Sequence, residues 1–154
     1  MKPTWYPAPT NVDLFTDFIL WFSRWEYALK CFPHFSRSNR GFLEPAWSNL
    51  EELLASVPVN APLAGALDYF RATPPMRQIT IDSWEPINHL PDWPFLVLSL
   101  KTVRNNLFHG GKHHSGPVLD PLRDRELLEH CMTVMREMVA FVPEEMQNIF
   151  QTNQ

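Results

Sequence analysis

The run WPFLVLSLKTVRNNLFH, Trp93 to His109, decides the fold. Phe95, Leu96, Leu98 and Leu100 make its first half apolar on most sides, and Val103 and Leu107 continue at helical spacing. Asp92 stands in the N-cap position, Pro94 is tolerated in a first helical turn, and Gly110-Gly111 supplies a stop. A helix of this length is a rod of about 25 Å. A rod apolar nearly all round in its first half belongs at the centre of a domain.

Outward from that rod, the other segments also read as helices. Asn11 to Cys31 carries Val12, Phe15, Phe18, Ile19, Phe22, Trp25 and Leu29 at spacings of three and four, with Thr10 as N-cap and Asp13 completing a capping-box-like start. Leu14 and Trp21 lie off that stripe, so the helix has a second apolar face, which implies burial on two sides and suits contact with another subunit. Glu26 and Lys30 form an i,i+4 pair of the favourable orientation, a solvated ion pair. Glu44 to Ser56 reads as a short helix through Trp47, Leu50, Leu53 and Leu54. Another starts at Asn60, turns Leu63, Ala66, Leu67 and Phe70 inward, and stops at Pro74-Pro75. A last long helix begins near Asp120-Pro121 or Asp124 and runs through Leu127, Leu128, Cys131, Val134, Met135, Met138, Val139 and Val142 to Pro143. Its methionines read as flexible core filler. A short amphipathic tail spans Glu144 to Phe150.

Between these, CFPHFSRSNRGF (31–42) reads as a loop. Residues 76–92 read as an irregular loop too, because Pro86 and Pro91 interrupt it, although Ile79-Thr80-Ile81 has the character of a short extended piece. No internal repeat or low-complexity segment is apparent. The expected fold is therefore all-α, an antiparallel bundle of four to five helices over residues 11–150, after an N-terminal extension at 1–10.

Composition agrees with one domain. A chain of 154 residues, 45% hydrophobic, with six tryptophans and eleven phenylalanines, buries a sizeable core without disulfide or metal. Its fifteen prolines, about twice the usual share, favour short helices with rigid joints. Cys31 and Cys131 lack metal-ligand spacing and read as reduced core thiols. No signal-peptide-like stretch or apolar run of membrane-spanning length occurs, so the expectation is a cytoplasmic protein without membrane contact.

A net charge of −4 argues against indiscriminate nucleic-acid binding, yet the charge is uneven. No acidic residue lies between Asp92 and Asp120, where Lys101, Arg104 and Lys112 contribute +3 and leave −7 elsewhere, so an anionic ligand is drawn to that region. The same region, KTVRNNLFHGGKHH (101–114), holds the chain's densest chemistry. Asn105 and His109, four apart, share a helix face, so the amide can orient the imidazole. Arg104 and His109 are about 140° apart on an ideal helix, but the helix ends at His109 and both can reach one concave spot. An arginine offers a bidentate fork for phosphate, and a histidine moves protons near neutral pH. That is a minimal kit for phosphodiester transesterification. With no acidic metal-binding pair nearby, attack by an activated ribose 2′-hydroxyl without metal or cofactor is the consistent route.

Spacing alone is weak, since Arg125 and His130 repeat it. There Asp124, Glu126 and Glu129 repel phosphate, and that pair reads as a solvated helix face. Context separates the first pair: VRNNLFHGGK places asparagine directly after arginine and glycine directly after histidine at a helix end. This pattern resembles the HEPN superfamily of helical ribonuclease and toxin domains, whose motif is arginine, a polar residue often asparagine, three to five residues, then histidine. FSRWEYALK (22–30) is also similar to the first long helix of small bacterial members, while residues 32–92 add no motif. The resemblance implies a helical bundle that forms a homodimer with a composite active site. It further implies metal-independent RNA cleavage leaving a 2′,3′-cyclic phosphate, in the setting of a toxin or anti-phage effector with an antitoxin or regulatory protein as partner. Carried onto this chain, His109 is general acid or base, Arg104 stabilises the phosphorane and Asn105 holds geometry.

Lys101, Lys112, His113 and His114 are the candidate RNA-binding rim, with a plain solvated basic loop as the competing reading. Two alternatives stand beside the enzyme. One is a non-catalytic module of the same fold binding nucleotide, RNA or a protein partner. The other takes His109, His113 and His114 as metal ligands, a site that no carboxylate or cysteine in the segment completes. His34 and His89 read as structural or exposed. Trp21, Trp25 and Trp47 read as core, and Trp84 and Trp93 as residues that could border a cleft.

Overall fold

A computed structural model of the chain describes residues 11–80, 82–109 and 121–151, with the side chains of 108 and 109 excepted. In order these form α1 (Val12–Lys30), β1 (Ser36–Asn39), β2 (Phe42–Pro45), α2 (Trp47–Leu54), α3 (Ala61–Ala72), β3 (Met76–Thr80), β4 (Ser83–Pro86), α4 (Asp92–His109), α5 (Pro121–Met138) and α6 (Glu144–Gln151). Short 3-10 turns occupy Pro33–Phe35 and Val139–Phe141. The expected all-α bundle of four to five helices is therefore corrected: among the described residues there are six α-helices and two antiparallel β-hairpins, a mixed architecture.

The hairpins replace the two stretches read as loops. In the first, Ser36, Arg37, Ser38 and Asn39 pair with Pro45, Glu44, Leu43 and Phe42. Its two-residue connection, Arg40-Gly41, has φ of 52° and 84°, the positive-φ pair of a tight type I′-like hairpin turn. In the second, Met76, Arg77 and Gln78 pair with Pro86, Glu85 and Trp84, and an irregularity between Gln78 and Thr80 brings Thr80 opposite Ser83. The Thr80 and Ser83 hydroxyls meet at 2.7 Å and the Asp82 amide donates to Thr80 Oγ1, tying off that turn. Both ladders end on a proline, Pro45 or Pro86. A missing N–H is tolerated there, because a two-stranded sheet consists entirely of edges.

The helices gather one core. α5 packs against α1 and α3, while α4 packs against α2, α3 and α5. On α4, Trp93, Phe95, Leu96, Val97, Leu100 and Val103 are buried, which puts the helix at the centre as its apolar run demands. The buried Ser99 hydroxyl on the same helix donates to the Phe95 carbonyl. On α1, Phe18, Phe22, Trp25 and Leu29 are buried along the expected stripe. Its second apolar face is covered within the chain, where expectation looked to another subunit. Leu14 and Trp21 pack against the core, Trp21 stacks on Phe150 of α6 at 5.9 Å, and the Arg136 guanidinium lies 5.8 Å from the same indole.

Side chain to backbone bonds pin helix ends together. Asn60 caps α3 by accepting from the Leu63 amide, and its own amide donates to Glu137 on α5. Asn11, in the N-cap position of α1, donates to the Pro121 carbonyl at the start of α5. The Thr10 cap lies outside the described residues. Trp93 Nε1 donates to the Val57 carbonyl, tying the first turn of α4 to the α2–α3 connection. The two cysteines part company. Cys131 is buried, and desolvation pushes its thiol pKa up and keeps it protonated. Cys31 is exposed at the C-cap of α1, not the core thiol expected. Among the described residues no helix is long and apolar enough to cross a membrane.

Trp25 is fully buried and donates from Nε1 to the Met135 carbonyl at 3.0 Å. Met135 lies in the last turn of α5, directly before a 3-10 turn. Trp25→Phe keeps a large aromatic but removes that buried hydrogen bond. We expect a loss of about 1–3 kcal/mol, read as a lower urea midpoint at unchanged m-value.

Candidate functional site

Three successive residues near the end of α4 point three ways, as steps of about 100° require. Asn106, half-buried, donates from Nδ2 to the Met76 carbonyl at 2.7 Å and so fastens the second hairpin to the helix. The half-buried Arg104 turns toward α1, where its guanidinium carbon sits 5.9 Å from the Phe22 ring centroid, within cation–π range. Asn105 is exposed between them and accepts from Arg104 Nη1 at 3.2 Å. Phe22 in turn meets Trp47 of α2 at 5.3 Å. The C-terminal half of α4 is thus bordered by aromatic rings from α1 and α2 on one side and by β3 on the other.

Arg104 and Asn105 meet through their side chains, and the described part of the same helix runs to His109. The side chain of His109, and all of Gly110, Gly111, Lys112, His113 and His114, lie outside the described residues. Phe22 under the guanidinium holds a cation at the edge of an apolar wall, where its field is less screened than in open water. The Asn105 carbonyl oxygen fixes one edge of the guanidinium fork.

Lys101 has a neighbour that the local sequence does not show. Sequence places it in an acid-free stretch, but α2 packs on α4 and brings Glu51 alongside. Burial raises the Glu51 carboxyl pKa, and the Lys101 charge opposes that rise. The lysine is therefore shared with a carboxylate fifty positions away, which no local reading reveals. Trp93, one of the two indoles expected near a cleft, is buried in the core, whereas Trp84 is half-buried on β4. His34 is exposed against Phe35, and the exposed His89 stacks on Phe95 at 5.9 Å. Among the described residues no three His, Cys, Asp or Glu side chains converge as metal ligands would.

The decoy pair behaves differently. Arg125 is exposed and bridges to Glu129 at 2.8 Å, so its fork is met by a carboxylate one turn along. His130 is not on the solvated face: it is half-buried and stacks on Tyr69 of α3 at 4.2 Å, with Phe70 edge-on at 6.2 Å. Arg125 and His130 therefore diverge, and no joint site exists there. Sequence reading also missed a second basic, acid-free stretch, residues 27–43, which holds Lys30, Arg37 and Arg40; the absence of any acidic residue between Glu26 and Glu44 was the available signal. Comparison of the chain with protein-family models, with curated proteins and with solved structures finds no match in any of the three.

Burial lowers the His130 pKa, against the pull of Glu126 and Glu129. The neutral ring is the folded form, so its stabilising contribution is full above the unfolded imidazole value of about 6.5 and is lost as pH falls through the lower folded value. Urea midpoints taken from about pH 7.5 to about pH 5 should fall with acidification, and His130→Gln should make that fall shallower.

Proposed function

We propose that the chain is a metal-independent endoribonuclease of HEPN type, cleaving RNA by attack of the ribose 2′-hydroxyl. The observation that carries this reading is the pairing of Arg104 with Asn105 on a central helix whose described length runs to His109. The stretch from Trp93 to Leu119 contains no acidic residue that would repel phosphate. In the reaction, the 2′-oxygen bonds to phosphorus as its proton leaves to a base, and the 5′-oxygen departs with a proton from an acid. His109 performs one or both transfers. Arg104 donates to the phosphoryl oxygens as they gain charge, and Asn105 keeps that guanidinium in place. The products are a 2′,3′-cyclic phosphate and a free 5′-hydroxyl.

Two copies of the chain placing their α4 ends in one cleft would supply an acid and a base from separate histidines. That arrangement is part of the proposal, as are the setting of a toxin or phage-defence effector, a neutralising protein partner and a cytoplasmic location. The rim drawn from Lys112, His113 and His114 binds the RNA backbone, and Lys101 contributes less because of Glu51.

Purified protein is expected to cleave single-stranded RNA in excess EDTA and to leave cyclic phosphate ends. His109→Ala should cost about 10²- to 10⁴-fold in rate, and Arg104→Ala about 10²- to 10³-fold. Both variants should keep the parent's circular dichroism and elution volume. RNA binding without motif-dependent cleavage would reject catalysis in favour of a binding module.

A further inference from the structure

We infer that the β1–β2 hairpin is a docking finger for single-stranded RNA, with Arg40 and Phe42 as its contacts. This deepens the proposed function by giving the RNA strand a second point of attachment, and it rests on that reading only for the identity of the polymer. Phe42 is the most exposed large apolar side chain among the described residues, at 73%. It stands directly after the turn, paired with Asn39. Because side chains alternate along a strand, Arg37, Asn39, Phe42 and Glu44 share one hairpin face, and on it the Arg37 side chain is 66% exposed.

The hairpin is basic on balance, because Arg37 and the turn residue Arg40 stand against one carboxylate. Its one carboxylate, Glu44, is already engaged at both oxygens, by Arg37 Nε at 3.3 Å and by Asn39 Nδ2 at 3.0 Å. Residues 27–43 carry Lys30, Arg37 and Arg40 with no acid, in a chain whose net charge is −4. A polyanion is therefore the complementary partner. The open ring favours a polyanion with unpaired bases, which stack on aromatic faces whatever their sequence, over a duplex whose bases are already stacked.

Arg40 itself points the same way. At φ 52° it is the only positive-φ residue other than glycine among those described. Glycine or asparagine fits that turn position without steric cost, and a long charged side chain does not. Strain tolerated at a tip is a signature of function. An arginine there projects its charge beyond both strands.

The finger is also on the right side of the molecule. β2 leads directly into Trp47, Trp47 packs on Phe22, and the Phe22 ring lies under the Arg104 guanidinium. The hairpin base is thus two side chains from the candidate site. A strand of four residues reaches about 13 Å beyond it, a distance that a few nucleotides of extended chain cover.

The test uses the whole wild-type chain and a fluorescent oligouridine of about a dozen nucleotides, 2′-O-methylated so that it cannot be cleaved. Arg40→Gly is expected to weaken binding severalfold and to reduce the slope of log affinity against log salt by about 0.7, the value of one lost phosphate contact on a single strand. It should also raise the thermal midpoint, because glycine relieves the turn. Phe42→Ala is expected to weaken binding about tenfold at unchanged midpoint. Parent-like binding by both variants, or no binding by the wild type, overturns the finger. Hairpin-dependent binding to phosphatidylserine vesicles, without hairpin-dependent binding to the oligonucleotide, overturns it too. The two readings fail separately. Hairpin-dependent RNA binding by a chain that cleaves nothing removes the catalytic reading alone. Cleavage that needs Arg104 and His109 while binding ignores the hairpin removes the finger alone.

Discussion

The indole of Trp25 is the interaction on which the rest of this structure depends. It is buried without remainder, its ring meets Phe150 at 4.6 Å, and its nitrogen serves the Met135 carbonyl. One side chain therefore sets α1 against α5 and α6 together. It does so at the place where α5 tightens into a 3-10 turn. An apolar residue of the same size would supply contact but lose that buried bond, at a cost of about 1–3 kcal/mol out of a net stability of about 5–15 kcal/mol. With α1 fixed in this way, Phe22 faces Trp47 and Arg104, so the seating of α1 decides what lies under the candidate site.

The helices were legible because burial imposes a period that few other constraints erase. Asn60, Leu63, Ala66, Leu67 and Phe70 announced α3 with its cap, and the unbroken apolar run from Phe95 announced a central α4. The second face of α1 was legible as a fact but not as a contact. Trp21 had to be covered, and periodicity carries no information about whether α6 or another molecule covers it. Cys31 failed for a similar reason, since a position at the end of a helix falls off the stripe once the chain turns away.

The hairpins were illegible to a reading that hunts for alternating apolar residues. Neither buries a full face, so polar residues sit on both sides of the strands, and of the prolines that argued against extended structure Pro86 only ends its ladder while Pro91 lies beyond it. A different signal was present in each. Arg37 pairs with Glu44, which precedes Pro45; Arg77 pairs with Glu85, which precedes Pro86, and its guanidinium lies 3.8 Å from that carboxylate. Arginine facing glutamate across the ladder, with proline closing it, is a cross-strand charge pair used twice. The chain contains no sequence repeat, yet it repeats this device, and the Arg40-Gly41 turn and the Thr80–Ser83 hydroxyl pair are two ways of closing it.

The candidate site illustrates why identical spacing gives unlike chemistry. Arg104 and Arg125 both precede a histidine by five residues, and both are helical. Arg125 meets a carboxylate one turn away on its own helix, so its charge is spent locally, and its histidine turns inward against Tyr69. Arg104 has no acid within its helical neighbourhood, and its guanidinium rests on an aromatic face and an amide oxygen. Those partners orient the guanidinium against α1 and its own helix. Lys101, on the same helix, shows the contrast within one element, because α2 supplies Glu51 where the sequence shows only neutral neighbours. Arg104 thus stands on a central helix, two side chains from a hairpin whose own carboxylate is already engaged.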